Sequence, residues 1–225
     1  MSQSSNAIFD IYIRAPSSIS TSSSASNNNA GSPHPPPSTA FLTASPWSVV
    51  YSTLPMWRSK RNVKITYQSL PHGLLDDQVT YQTSQGGSVK TVHGVDRPVP
   101  VPRQDHKDRD ASTDSSTEAG SWSYHWRGKG WLMIASSKWE VLGYGSVSGD
   151  VGADGTNNEG HSIDWAVTYF AKTLFTPEGI DIYIRPGAKP PGALVEQIKN
   201  ELKAMGDKSF QRLADDLFLV THDDQ

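Results

Sequence analysis

The chain is predicted to be all-β with one C-terminal helix: about eight antiparallel strands in succession close into a barrel, and a helix and one last strand follow. Three observations carry this. Residues 122–185 hold aromatic and β-branched runs (124–137, 139–144, 163–172 and 179–185) broken by Gly, Asp, Asn and Pro, the mark of antiparallel sheet. Upstream, residues 47–93 repeat the pattern with Gly/Pro turns. Only once does the apolar period lengthen to that of a helix, at residues 191–206.

In order, an apolar island ending in Asp10-Ile-Tyr-Ile-Arg14 precedes a Ser/Asn/Pro tract with almost nothing to bury. Residues 1–40 are therefore expected to be disordered, with a possible short strand at 8–14. The island recurs as residues 181–185; the repeat is either coincidence or a sign that the island adds a strand to a sheet edge. The folded domain is expected over 41–225. Residues 47–54 read as a first strand ended by Pro55, and 62–68 as a second with Val63, Ile65 and Tyr67 on one face. After a Pro71-His-Gly73 turn come strands at 78–83 and 88–93. Long loops are expected at 96–120 and 145–162. Leu194, Val195, Ile198, Leu202 and Met205 share a helical stripe that stops at Gly206, and a short helical turn at 209–214 leads to a final strand at 216–221.

Composition excludes several function classes. A net charge of −3 with no basic stripe argues against nucleic acid as a partner. With no cysteine there is neither a disulfide nor a thiolate site. His34, His72, His93, His106, His125, His161 and His222 show no metal-ligand spacing, and Asp150, Asp154, Asn157, Asn158 and Glu159 do not match a calcium loop. Gly143 to Gly149 lacks the helix a phosphate loop needs, and no serine sits in a nucleophile elbow. No catalytic residue, cofactor or metal is therefore assigned. No run reaches the ~20 apolar residues of a membrane span, and the first residues lack an export signal, so a cytoplasmic protein is expected; nothing indicates its oligomeric state.

At this level the chain resembles the lipocalins among the calycin barrels, in particular the group around bacterial outer-membrane lipocalin and apolipoprotein D. Pro46-Trp47 through Tyr51 with Leu54-Pro55 is similar to that family's opening Gly-x-Trp-Tyr segment, and 61–67 to its second strand. Asp181 to Arg185, the helix from Leu194, Gly206-Asp207 and the closing strand match its end in order and spacing. Ser45 stands where the family has Gly, and the lipid-bearing cysteine and the disulfide pair are missing. The resemblance implies Trp47 at the closed end with Arg185 stacked on its indole, a structural pair.

It also implies a small hydrophobic or amphiphilic ligand inside the barrel, since eight strands enclose room for one. Period two puts Trp131, Met133 and Ala135 on one face, Trp139 and Val141 on another, and Trp165, Val167, Tyr169 and Ala171 on a third. The family's first loop covers the mouth, which here brings Met56, Trp57, Arg58, Lys60 and Arg61 there to receive a carboxylate or phosphate. The expected ligand-binding set is Trp57, Arg58, Arg61, Tyr67, Tyr81, Trp131, Trp139 and Tyr169. Against it stand two plainer readings: the aromatics fill a core, and the cations are a solvated loop. A calycin-type enzyme using Glu140 or His93 with Tyr169 as acid and base, and a cavity-free interaction scaffold, are the alternative functions.

Overall fold

The computed structural model describes residues 9–19, 34–100, 120–148, 162–174 and 176–223. Among them β1 (Trp47–Ser52), β2 (Arg61–Ser69), β3 (Leu75–Gln82), β4 (Lys90–Pro98), β5 (Ser123–Gly128), β6 (Ser136–Ser148), β7 (Ser162–Phe170) and β8 (Gly179–Ile184) each pair antiparallel with the next. β8 returns to β1, and β1 meets β2, so the sheet closes on itself. The connections 53–60, 83–89, 129–135 and 171–178 consequently share one end of the barrel, its mouth.

The closing seam is thin. β1 and β2 pair only at Trp47↔Ile65 and Ser48↔Lys64, then diverge. The C-terminal tail fills the gap. β9 (Phe218–Leu219) pairs with Tyr51 and Ser52 on one side, while Val220 N–H donates to Val50 O at 2.9 Å and Asn62 N–H to Thr221 O at 2.8 Å. Asn62 takes φ 53°, a left-handed turn that asparagine tolerates, and its side chain and that of Arg61 both bond Asp223.

Two apolar clusters follow from the pleat. Trp47, Val49, Val63, Ile65, Tyr67, Tyr124, Trp139, Val141, Ala166 and Tyr183 point into the barrel. Val167, Ile180, Ile182 and Ile184 point outward, onto α2 (Gly192–Ala204) through Leu194, Val195, Ile198 and Leu202. α3 (Lys208–Asp216), capped by Asp207, adds Phe210 to this layer. Because β7 and β8 are covered on both faces, their large side chains do not mark the interior.

The structure departs from the sequence expectations, or adds to them, at three places. The run 124–137 is not one strand: it breaks after Gly128 into a 3-10 turn at Gly130–Leu132, leaving Met133 and Ile134 exposed. A short helix, α1 (Thr39–Thr43), precedes β1 and is capped by Ser38, which accepts from Phe41 N–H. Residues 1–8, the start of the N-terminal island included, lie outside the described residues, and residues 9–14 form no strand. Residues 9–19 run extended between β6 and α2: Ile13 is buried, Arg14 N–H donates to Leu142 O at the β6 bulge, and the Gln197 amide holds both backbone groups of Phe9. A Cβ at Gly143 would meet Tyr12 O at 2.5 Å, so this close approach requires glycine. Of the tract that follows, 20–33 lie outside the described residues, as do 101–119 and 149–161 of the two long loops.

Glu140 fastens this segment, accepting from Arg14 Nη2 at 3.0 Å, from Ser17 N–H and from Ser17 Oγ at 2.5 Å. Replacing Glu140 with Ala leaves a largely buried guanidinium without its counter-charge and should lower stability by about 2 kcal/mol. Urea denaturation would show this as an earlier midpoint with an unchanged slope; an unchanged midpoint would mean that residues 9–19 are not docked.

Candidate functional site

The closed end is built around Trp47. Its indole donates to Leu42 O at 3.0 Å, and the Arg185 guanidinium lies 3.4 Å from the indole centroid. Arg185 also bonds Ser45 O and Phe41 O, tying α1 and the approach to β1 across the barrel floor. Asp164 Oδ2, 3.4 Å from Arg185 Nε, supplies the counter-charge.

The mouth is stoppered by Trp57, 6% exposed, in the 3-10 turn Pro55–Trp57. Its ring meets Tyr81 edge-on at 6.0 Å, and its indole sits beside Asp181. Ser52 Oγ donates to Asp181 Oδ1 at 2.5 Å, yet burial still lifts this carboxyl to a pKa of about 7. The mouth cations do not converge on an anion site: Arg58 stacks on Phe218 at 4.1 Å, Lys60 lies 5.5 Å from Tyr81, and Arg61 pairs with Asp223. An open groove of about 270 Å³ lies beside this rim, lined by Asn62, Lys64, Thr80, Tyr81, Gln82, Val89 and Asp223.

Between floor and mouth, the interior holds chemistry that strand-facing rules for apolar residues pass over. Inward positions of β3 and β4 carry Asp77 and Asp96, diagonal neighbours through the register Leu75↔Asp96 and Asp77↔Gly94. Both are buried, at 7% and 0% exposure. Trp139 Nε1 donates to Asp96 Oδ1 at 2.8 Å, and the Trp126 indole bonds Asp77. The opposite oxygens, Asp77 Oδ1 and Asp96 Oδ2, have no partner among the described residues. A Cβ at Gly94 would overlap the Trp126 ring, so glycine there is what lets the indole reach across.

Burial is the first cause of the upward pKa shift in each acid; for Asp77 the neighbouring Asp96 charge adds to it, and Asp96 reaches about 7. Tyr67, Trp139 and Tyr124 stack beside the pair, with centroids 5.7 and 4.5 Å apart and rings within 16° of parallel. Tyr183 completes the wall, facing Tyr67 and Thr168. Burial raises all three tyrosines above the ordinary phenol value, so their hydroxyls stay protonated. Chemically, the centre is a pair of buried acids, both with raised pKa values, against an aromatic wall.

A closed eight-stranded antiparallel barrel, a short helix and a stacked Trp–Arg pair at one end, and a helix with a ninth strand after β8 now stand together. The chain has a lipocalin-like calycin fold. No family model and no curated protein matches the sequence. Among solved structures, lipocalin-like barrels align with low scores: apocrustacyanin C1 (12% identity over 79% of this chain and 76% of that one, TM-score 0.46), the siderocalin Ex-FABP (12%, 79% and 92%, 0.41) and insecticyanin from the tobacco hornworm Manduca sexta (13%, 86% and 90%, 0.39).

In this calycin barrel Tyr67, Trp139 and, at the mouth, Trp57 and Tyr81 face the interior cluster. Tyr169 does not. It points outward to Phe210 at 5.4 Å and donates to Glu178, because β7 turns Trp165, Val167 and Tyr169 to the helices. Trp131 lies in the turn before β6, not in a strand, and its side chain is outside the described part. The proposed acid–base pairs also dissolve: Glu140 and Tyr169 are outer-face neighbours under the N-terminal segment, and His93 pairs with Asp76 at 2.8 Å on the outer wall. Sequence reading missed Asp77 and Asp96; the available signal was Asp77 in period two with Val79 and Tyr81.

A carboxyl whose folded pKa lies above its unfolded value of about 3.9 keeps its proton longer in the folded state, so stability falls as pH rises between the two values. For Asp96 that window runs from about 4 up to about 7. Asp96→Asn should therefore raise the melting temperature at about pH 8 and have much less effect at about pH 4. Thermal unfolding at both pH values checks this, and an equal shift at both would contradict it.

Proposed function

We propose that the barrel binds a small amphiphilic molecule whose cationic or hydrogen-bond-donating end meets Asp77 and Asp96 and whose apolar body lies along Tyr67, Trp139 and Tyr124. The observation that carries this reading is the pair of buried carboxyl oxygens without partners among the described residues. Each buried acceptor left unsatisfied costs about 1–3 kcal/mol, which a ligand donor recovers. Carboxylates beside aromatic faces suit an ammonium group, through charge and through the ring quadrupoles together. Entry is from the mouth, where Trp57 and Tyr81 must part.

This reverses the charge expected from the mouth cations, which are engaged by Phe218, Tyr81 and Asp223. A second reading rests on the same acids: two coupled carboxyls with raised pKa values are what general acid–base catalysis uses. Under that reading the bound molecule is recovered chemically altered.

Quenching of tryptophan fluorescence by dodecylamine and by dodecanoic acid decides the charge, since Trp126 and Trp139 bond the two acids. The amine should bind more tightly than the acid, and its affinity should rise as pH increases through about 7, where Asp96 ionises. Asp77→Asn should weaken amine binding by about tenfold or more. Preference for the carboxylic acid, or saturation unaffected by pH and by Asp77→Asn, would overturn the assignment. Mass analysis of the recovered amine would expose turnover.

A further inference from the structure

We infer that the mouth end of the barrel docks on the surface of an anionic lipid bilayer. Among the described residues, the exposed large apolar side chains are Met56, Val89, Met133, Ile134, Leu174 and Leu219. The first five stand on the four connections that the up-and-down topology gathers at the mouth, and Leu219 pairs with Tyr51 where β1 reaches the same end. Ile134 and Leu174 are 88% and 96% exposed, which leaves almost their whole surface in water.

Charge on those connections is one-sided. Residues 53–60, 83–89, 129–135 and 171–178 carry Arg58, Lys60, Lys129 and Lys172 against one acid, Glu178, in a chain whose net charge is −3. Lys129 lies 2.5 Å from Asp76 and still keeps 43% of its side chain exposed. Arg58 stacks on Phe218, and Arg127 Nε, bonding Met133 O at 2.8 Å, holds the Met133–Ile134 turn in place. Apolar tips ringed by cations match a membrane interface, where acyl chains receive the tips and phosphate or serine headgroups receive the cations. The side chains sit on separate loops around a mouth, so they do not form the flat continuous patch of a protein interface. No helix among the described residues is long and apolar enough to cross a membrane. The inference is independent of the ligand reading, because it uses only outward-facing loop residues.

The test is sedimentation of the full chain with unilamellar vesicles of phosphatidylcholine, alone or with phosphatidylserine. The protein should sediment with the phosphatidylserine vesicles and be released by raised salt. The double substitution Ile134→Glu, Leu174→Glu should lower the bound fraction about tenfold without changing circular dichroism or melting temperature, since both side chains are exposed. Protein left in the supernatant with both vesicle types, or a double variant that sediments like the parent, overturns the inference. Concentration-dependent dimerisation in gel filtration that the double variant abolishes, without vesicle binding, would place a second copy on this surface and likewise overturn it.

Discussion

Closing a sheet of eight strands leaves one seam, and here the seam is two residue pairs wide. The rest of the molecule is arranged around that constraint. At the floor the seam is backed by Trp47, with Arg185 stacked on it and anchored to the backbone of Ser45 and Phe41. Toward the mouth, the tail enters between β1 and β2, satisfies backbone groups on both, and drops Val220 into the interior cluster. Buried backbone groups along a parted seam would otherwise lack partners. His222 continues the wedge by bonding Val49 O at 2.8 Å. The long crossing through α2 and α3 is thus what delivers the last part of the barrel wall.

A sealed barrel makes its interior a low-dielectric space, and among the described residues this interior contains three carboxyls. Asp181 is compensated by Ser52 and set close to Trp57 at the mouth. Asp77 and Asp96 are each compensated on one oxygen only, by Trp126 and Trp139. Removing charge from water is unfavourable, so both acids hold protons far above the ordinary carboxylate range, and the fold gives up stability to keep them there. A core selected for stability alone would place apolar side chains at these positions. Two acids on the outer wall are paired instead: Glu140 has Arg14 and Ser17, and Asp76 has His93 and Lys129. The contrast between satisfied exterior acids and half-satisfied interior ones is what sets the centre apart as a site.

Much of the fold was legible because strand period, turn residues and one helical stripe are local signals. The all-β class, the single barrel, the C-terminal helix and the last strand all rest on them. Side-chain direction was less legible. In β8 every residue is buried, and in β7 the outward face carries Trp165 and Tyr169 while the inward one carries Ala166 and Thr168. With a helix layer outside, bulk no longer distinguishes interior from exterior, which is how Tyr169 was assigned to the ligand. The acids were missed for the opposite reason. Asp77 follows Asp76, and Asp96 precedes Arg97-Pro98, contexts that read as turns and loops, although β4 runs through Pro98. Nor does local sequence reveal that residues 9–19 lie against β6, since Gly143 acquires meaning only from what approaches it.

Asp77 and Asp96 matter as a site only if they are desolvated neighbours whose titrations influence one another. Carbon NMR of the aspartate side-chain carboxyls, followed through a pH titration, tests it most directly. The account predicts interior resonances, removed or displaced by Asp77→Asn and Asp96→Asn, that titrate in two coupled steps well above the usual carboxylate range, with Asp96 near 7. If every aspartate titrates independently near 4, the two acids are solvated, the barrel interior is open to water, and the assignment of the site fails.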